Sequence, residues 1–210
     1  MDVKKFKKLP IMGIIRGTRE DAIEPLTESV ISAGLKTMEI TMNTEGAPRL
    51  IKKMVKVSDK RLFVGAGTVL NEKELKQALD SGATFIVMPT LVKEVMDYCV
   101  RGKIPVFPGA FTPQEIYNAA SRGATMVKVF PAKFFGPDYI KEIKGPFQDI
   151  ELLACGGVNP GNIGSFFSAG ASAVAFGGSI FKKEWLSAKK FRLIEGAVKR
   201  LIESYIGYAG

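Results

Sequence analysis

Residues 122–132 read RGATMVKVFPA. Met126, Val127, Val129 and Phe130 make a short apolar run closed by Pro131, which suits a strand buried on both faces. Gly123 stands just ahead of it, at the end of a segment with helical spacing. Glycine after a helix, followed at once by a strand, is an economical joint, because glycine takes a left-handed backbone without strain. The same phrase recurs as AGLKTME (33–39), SGATFIV (81–87) and AGASAVA (169–175). Four joints of one kind predict a chain that alternates helix with strand, and so a parallel sheet covered by helices.

The rest of the chain keeps this alternation. Strand-like runs fall at 10–16 (PIMGIIR), 37–42 (TMEITM), 62–66 (LFVGA), 84–88 (TFIVM), 104–107 (IPVF), 126–130, 150–155 (IELLAC) and 173–176 (AVAF). Helices are expected at 19–34, 47–57, 71–81, 91–101, 113–122, 137–144, 162–169 and 188–205. Thr18, Asn71 and Thr112 are the expected N-caps, and Pro113 holds a favoured first helical position. Eight strands alternating with helices, roughly 20–25 residues apart, predict an α/β fold, the (β/α)8 TIM barrel. An open doubly wound sheet ranks second, because no G-x-G-x-x-G turn follows the first strand. No linker or low-complexity segment divides the chain. Residues 1–210 are therefore expected to form a single domain, with the last helix as a cover.

Of the 210 residues, 46% are hydrophobic and 24% charged, ample for a sizeable core, and no apolar run approaches the ~20 residues of a membrane helix. The start, MDVKKFKKLPIMGIIRG, imitates a signal peptide faintly. Its apolar part is short, Arg16 interrupts it and no small-residue cleavage site follows, so a soluble, unsecreted, cytoplasmic protein is expected. Cys99 and Cys155 fit reduced, buried thiols. The absence of histidine excludes Ser-His-Asp and Cys-His chemistry and histidine-ligated zinc. The net charge of +9 points to an anionic partner, a phosphorylated metabolite or nucleic acid. The chain lacks a nucleic-acid-binding motif and its basic residues do not cluster near aromatic ones, so the metabolite is favoured.

Chemistry in such a barrel sits at the C-terminal ends of the strands. Lys128 lies inside an apolar strand and shares a face with Phe130. A buried ammonium must find a carboxylate or lose its proton, and a lysine deprotonated near neutrality can attack a carbonyl. Most lysines are merely solvated, and Glu39, inside another apolar strand, could be an inert ion-pair partner. Such pairs rarely repay their desolvation, so one at a barrel mouth favours function, with Glu39 moving protons. Thr41 and Asn43 are expected on the Glu39 face. The ends of strands seven and eight carry Gly156–Gly157 and Gly177–Gly178–Ser179, where backbone amides can approach a phosphate and the Ser179 hydroxyl can add a donor.

The segments MEITMNTE (38–45), VGAGTVLN (64–71), VKVFPAKFFGPDYIKEIKGPF (127–147), CGGVNPGNI (155–163) and FGGSIF (176–181), with the strand ending at Pro89, resemble the 2-keto-3-deoxy-6-phosphogluconate (KDPG) / 4-hydroxy-2-oxoglutarate aldolase family. The resemblance spans roughly 9–181, and its ordered set of motifs is specific where each motif alone is not. It implies a class I aldolase of carbohydrate metabolism on a (β/α)8 barrel, a homotrimer needing no metal or other cofactor. Its partners would be pyruvate and a phosphorylated 2-keto-3-deoxy sugar acid. By resemblance Lys128 is the Schiff-base lysine and Glu39 the proton shuttle. Thr68 helps hold the pyruvyl carboxylate, Pro89 and Phe130 are apolar walls, and Gly156, Gly157, Gly177, Gly178 and Ser179 hold phosphate. Two departures stand out. Many members have arginine where Asn43 stands, and Arg16 matches an arginine of other members that could replace it. Ala154–Cys155 replaces a frequent Pro-Thr pair. IIRG and MNT resemble the branch that includes 2-keto-3-deoxy-6-phosphogalactonate aldolases. The competing reading is a phosphosugar isomerase or similar barrel enzyme sharing only the phosphate loops.

Overall fold

The computed structural model describes residues 1–209. The parallel strands are β1 (Ile11–Ile15), β2 (Thr37–Thr41), β3 (Phe63–Gly67), β4 (Ile86–Val87), β5 (Val106–Phe107), β6 (Gly109–Ala110), β7 (Val127–Val129), β8 (Leu152–Cys155) and β9 (Ala173–Phe176). They run in the order β5-β4-β3-β2-β1-β9-β8-β7-β6. β5 and β6 are two halves of the fifth expected strand, parted by Pro108, which has no N–H to give a ladder. The first half pairs with β4 and the second with β7. The amides of Thr125, Lys128 and Phe130 donate to the carbonyls of Val106, Pro108 and Ala110. Both ends of the sheet are thus one stretch of chain, and the barrel closes with the eight-strand plan expected.

Around it lie α1 (Val3–Phe6), α2 (Glu20–Ser32), α3 (Ala47–Ser58), α4 (Glu72–Asp80), α5 (Lys93–Arg101), α6 (Pro113–Ser121), α7 (Gly136–Lys144), α8 (Ile163–Ser168), α9 (Lys183–Ser187) and α10 (Phe191–Ala209). The repeated glycine phrase is one structure used four times. Gly34, Gly82, Gly123 and Gly170 have φ of 94°, 93°, 87° and 97°. Each closes a Schellman turn: the Gly34 amide donates to Ile31 and the Leu35 amide to Val30, and the pattern repeats at the other three. The Asn71 side chain caps α4, and Thr112 with Glu115 forms a capping box on α6.

Two local expectations fail. Thr18 does not cap α2; Arg19 holds that position without a side-chain bond, and the Thr18 hydroxyl is buried without a partner. The helix begins one residue later than a Thr18 cap would require. The expected helix 188–205 starts at 191, after the separate α9. The break is another Schellman turn, with Lys190 N–H on Trp185 and Lys189 at φ 52°. Lysine in the place of glycine gave the sequence no punctuation there.

Side chains divide between two cores. Met38 and Ile40 point out to the helices, whereas Met12, Phe85, Phe107, Met126, Leu153 and Ala175 fill the barrel. α1, which no periodicity marked, plugs its lower end: Phe6 packs edge-on against Phe107 at 6.0 Å, and Phe107 against Phe85 at 5.9 Å. Gly65 makes room for the Phe85 ring, since a Cβ there would lie 2.6 Å from Cδ2.

Candidate active site

The upper end of the barrel holds the charged groups. Strand alternation turns Glu39 inward from β2 and Lys128 inward from β7. They are 1% and 7% exposed. They are not a contact ion pair: the pairs within 4.0 Å among the described residues do not include them. β1, β9 and β8 stand between their strands in the sheet, so the two face each other across the lumen. Gly67 backs the Glu39 carboxylate, whose Oε2 is buried with no hydrogen-bond partner. Burial pushes the Glu39 carboxyl above its ordinary range, and the charges of Lys128 and then Arg16 pull it partly back.

The Lys128 nitrogen lies 5.2 Å from the centre of the Phe130 ring. Burial pushes the nearby Cys155 thiol up, against the pull of the Lys128 charge. Phe130 and Cys155 form one end of a cavity of about 810 Å³. From there the cavity crosses the β9 and β1 loops and runs outward between α2 and α9. Arg16, Gly156, Gly157, Gly177, Gly178 and Ser179 line it together. The amides of both glycine pairs and of Ser179 donate to no backbone carbonyl, which leaves a cradle of free N–H groups. Gly156 and Gly157 sit at φ 108° and 77°, and a Cβ on Gly157 would meet the Lys133 side chain at 2.7 Å.

Other expected residues need relocation. Asn43 is exposed, beyond the end of β2, and does not line the cavity. The strand ends at Thr41, so the alternation that would turn Asn43 inward stops before it. Ser179 is present, but its hydroxyl already donates to the Val158 carbonyl at 2.6 Å. Thr68 and Pro89 lie beside the mouth, after β3 and β4, outside the cavity lining. Thr68 has φ 56°, a strained backbone for a β-branched residue.

Sequence reasoning missed two features. Thr44 accepts from the Gly17 amide at 3.0 Å and shares a hydrogen bond with Thr41 at 3.0 Å, which fixes the loop carrying Arg16. Asp21, Lys183 and Lys189 line the outer cavity. On helix ends they look like ordinary solvated charges, and no local signal separates them.

A lysine and a carboxylate buried apart at the mouth of a barrel, beside an amide-lined cavity, match the geometry an imine-forming enzyme needs. The family model for KDPG and KHG aldolase matches residues 3–197. The chain belongs to that family. It is therefore an aldolase, a lyase. It is 33% identical over 176 residues to the 2-dehydro-3-deoxy-6-phosphogalactonate aldolase of Escherichia coli K12, covering 83% of this chain and 86% of that one. It is 30% identical over 203 residues to the 2-dehydro-3-deoxy-phosphogluconate aldolase of Haemophilus influenzae, covering 96% and 95%. Among solved structures, one described as native KDPGal superposes with a TM-score of 0.89 at 29% identity, covering 96% of this chain and 97% of that one.

Proposed function

We propose that the chain cleaves 2-keto-3-deoxy-6-phospho sugar acids to pyruvate and glyceraldehyde 3-phosphate through a Schiff base on Lys128. The observation that carries this is the Lys128 amine, buried beside the cavity-lining Phe130 and outside any contact ion pair, with the buried Glu39 carboxyl, its Oε2 unpartnered, across the lumen. The unprotonated amine attacks the C2 ketone. The carbinolamine loses water to give an iminium ion, with Glu39, directly or through water, carrying protons. Glu39 then takes the C4 hydroxyl proton as the C3–C4 bond breaks. The aldehyde leaves, and the bonding electrons pass into the iminium as an enamine. Protonation at C3 and hydrolysis release pyruvate and the free amine. A burial-raised carboxyl suits both directions of proton transfer. Arg16 and Thr68 serve the substrate carboxylate, and Pro89 and Phe130 wall the imine. The free amides of the glycine loops hold the phosphate, so binding energy far from the bond positions it.

The named relatives favour phosphogluconate and phosphogalactonate derivatives, which differ in configuration at C4; 4-hydroxy-2-oxoglutarate, giving pyruvate and glyoxylate, fits the same chemistry. We also infer a single-domain, cytoplasmic homotrimer. The free buried thiols support a reducing compartment. Phe134 and Phe135, 68% and 59% exposed on the barrel rim, support assembly. The test is borohydride trapping with pyruvate and peptide mass mapping. A reduced pyruvyl adduct on Lys128 is expected, after which a panel of epimeric phospho sugar acids fixes the substrate. An adduct on another lysine, or none from folded protein, refutes the assignment.

A further inference from the structure

The glycine loops offer the phosphate neutral backbone amides and no side-chain donor, because the Ser179 hydroxyl is already given to Val158. Four cationic side chains line the same cavity: Arg16, Arg19, Lys183 and Lys189. Three of them have other engagements. Arg16, at the end of β1 and followed by the loop that Thr44 fixes, is the cation whose charge is felt by Glu39 and Cys155, at the imine end. Lys189 is bound to Asp21 at 2.9 Å. Arg19 faces the same carboxylate at 3.6 Å. Lys183, at the start of α9, lines the cavity and has no carboxylate within 4.0 Å among the described residues. It follows the Gly177–Ser179 loop by only a few residues, so the amide cradle and this ammonium belong to one wall.

We propose that Lys183 is the side-chain counter-ion of the substrate's phosphate and sets the preference for phosphorylated over unphosphorylated 2-keto acids. The kinetic side of this rests on the aldolase reading above. The argument is one of charge. Neutral amides orient a phosphate dianion, but a mobile ammonium in the same cavity adds a charge-assisted bond that 4-hydroxy-2-oxoglutarate, with no phosphate, cannot use. The Asp21–Lys189 pair, at the outer end of the cavity, occupies the second lysine.

The test has two arms. In the first, glycerol 3-phosphate stands for the distal half of the substrate and its binding is measured by calorimetry. Lys183→Met should weaken it about tenfold and Lys183→Arg should retain most of it. In the second, steady-state cleavage is compared for a phosphorylated substrate and for 4-hydroxy-2-oxoglutarate. Lys183→Met should raise KM about tenfold for the first, with kcat little changed, and leave the second within twofold. Equal glycerol 3-phosphate affinity in wild type and Lys183→Met overturns the proposal, as does an equal effect on both substrates. Failure to trap pyruvate would sink the aldolase reading instead, and the binding arm would still decide the role of Lys183.

Discussion

Gly67→Ala should disarm Glu39 without altering it. Gly67 lies in β3 with ordinary strand backbone, so alanine is conformationally acceptable there and even favoured by ~0.5–1 kcal/mol over glycine. Its Cβ, however, would stand 2.7 Å from Cδ of Glu39 and 3.2 Å from Oε2. Carbon atoms in contact rest ~3.5–4.0 Å apart, so the carboxylate must retreat by about 1 Å. Glu39 is 1% exposed, which leaves it little free space to retreat into. Overpacking of this kind costs ~1–3 kcal/mol, partly offset by the strand preference, so the variant should fold with a Tm lowered by several degrees. A catalytic group displaced by about 1 Å costs up to ~10²-fold in rate. The expected result is a kcat/KM for aldol cleavage lower by about that factor, read by coupled detection of pyruvate, with a matching loss in the rate of borohydride-trapped adduct. A folded Gly67→Ala enzyme within about threefold of wild type would show that the carboxylate is not needed where β2 and β3 hold it.

Glu39→Gln should lose turnover by about 10²-fold and gain stability. The sign follows from burial: the folded carboxyl binds its proton more tightly than the unfolded one, so its stabilising contribution is full below the unfolded pKa and is lost as pH rises through the folded one. The variant's Tm advantage should therefore be near nil at pH 4 and several degrees at pH 8; a wild type more stable than the variant at pH 8 would reverse the argument. Phe6→Ala empties the lower plug and should cost ~3–5 kcal/mol in urea unfolding while kcat stays near wild type, since Phe6 lies at the end away from the site. Burial pushes the Cys99 thiol to about 12 and raises the Cys155 thiol as well. A maleimide at pH 7 should thus label both cysteines slowly in native protein and quickly after denaturation, and rapid native labelling of Cys155 would contradict its burial at the inner end of the cavity.

The barrel was legible because its joints are written in glycine. The four Schellman turns at Gly34, Gly82, Gly123 and Gly170 each place a strand directly after a helix, and period-two alternation then aims Glu39 and Lys128 inward. Where the same turn is built on Lys103 or Lys189, the backbone is identical in kind but the letter is silent, and the boundary between α9 and α10 was lost that way. Asn43 was misplaced for a related reason: alternation extrapolated past the last ladder bond describes a strand that has already ended. The outer cavity was invisible because Asp21, Lys183 and Lys189 come together only when α2 and α9 are brought alongside, a tertiary fact with no local pattern.

The separation of Glu39 from Lys128 connects the fold to the chemistry. A contact pair would engage the amine and hold the carboxyl ionised, leaving neither free to exchange a proton. Set across the lumen instead, the carboxyl is governed by burial first and by the charges of Lys128 and Arg16, outside contact, second. On the proposed mechanism, a keto acid's carboxylate seated on Arg16 neutralises one of those two charges. The attack step requires the free, unprotonated Lys128 amine, so in that step the other charge is absent as well. Glu39 is then driven toward its protonated form at the moment a carbinolamine hydroxyl needs a proton to leave as water. When the iminium forms, a positive charge returns to the Lys128 nitrogen and favours the carboxylate, the form that accepts the C4 hydroxyl proton. In the proposed mechanism the alternation of charge on one nitrogen would thus switch the buried acid between donor and acceptor, so that a lumen without histidine runs both proton transfers on a single carboxyl group.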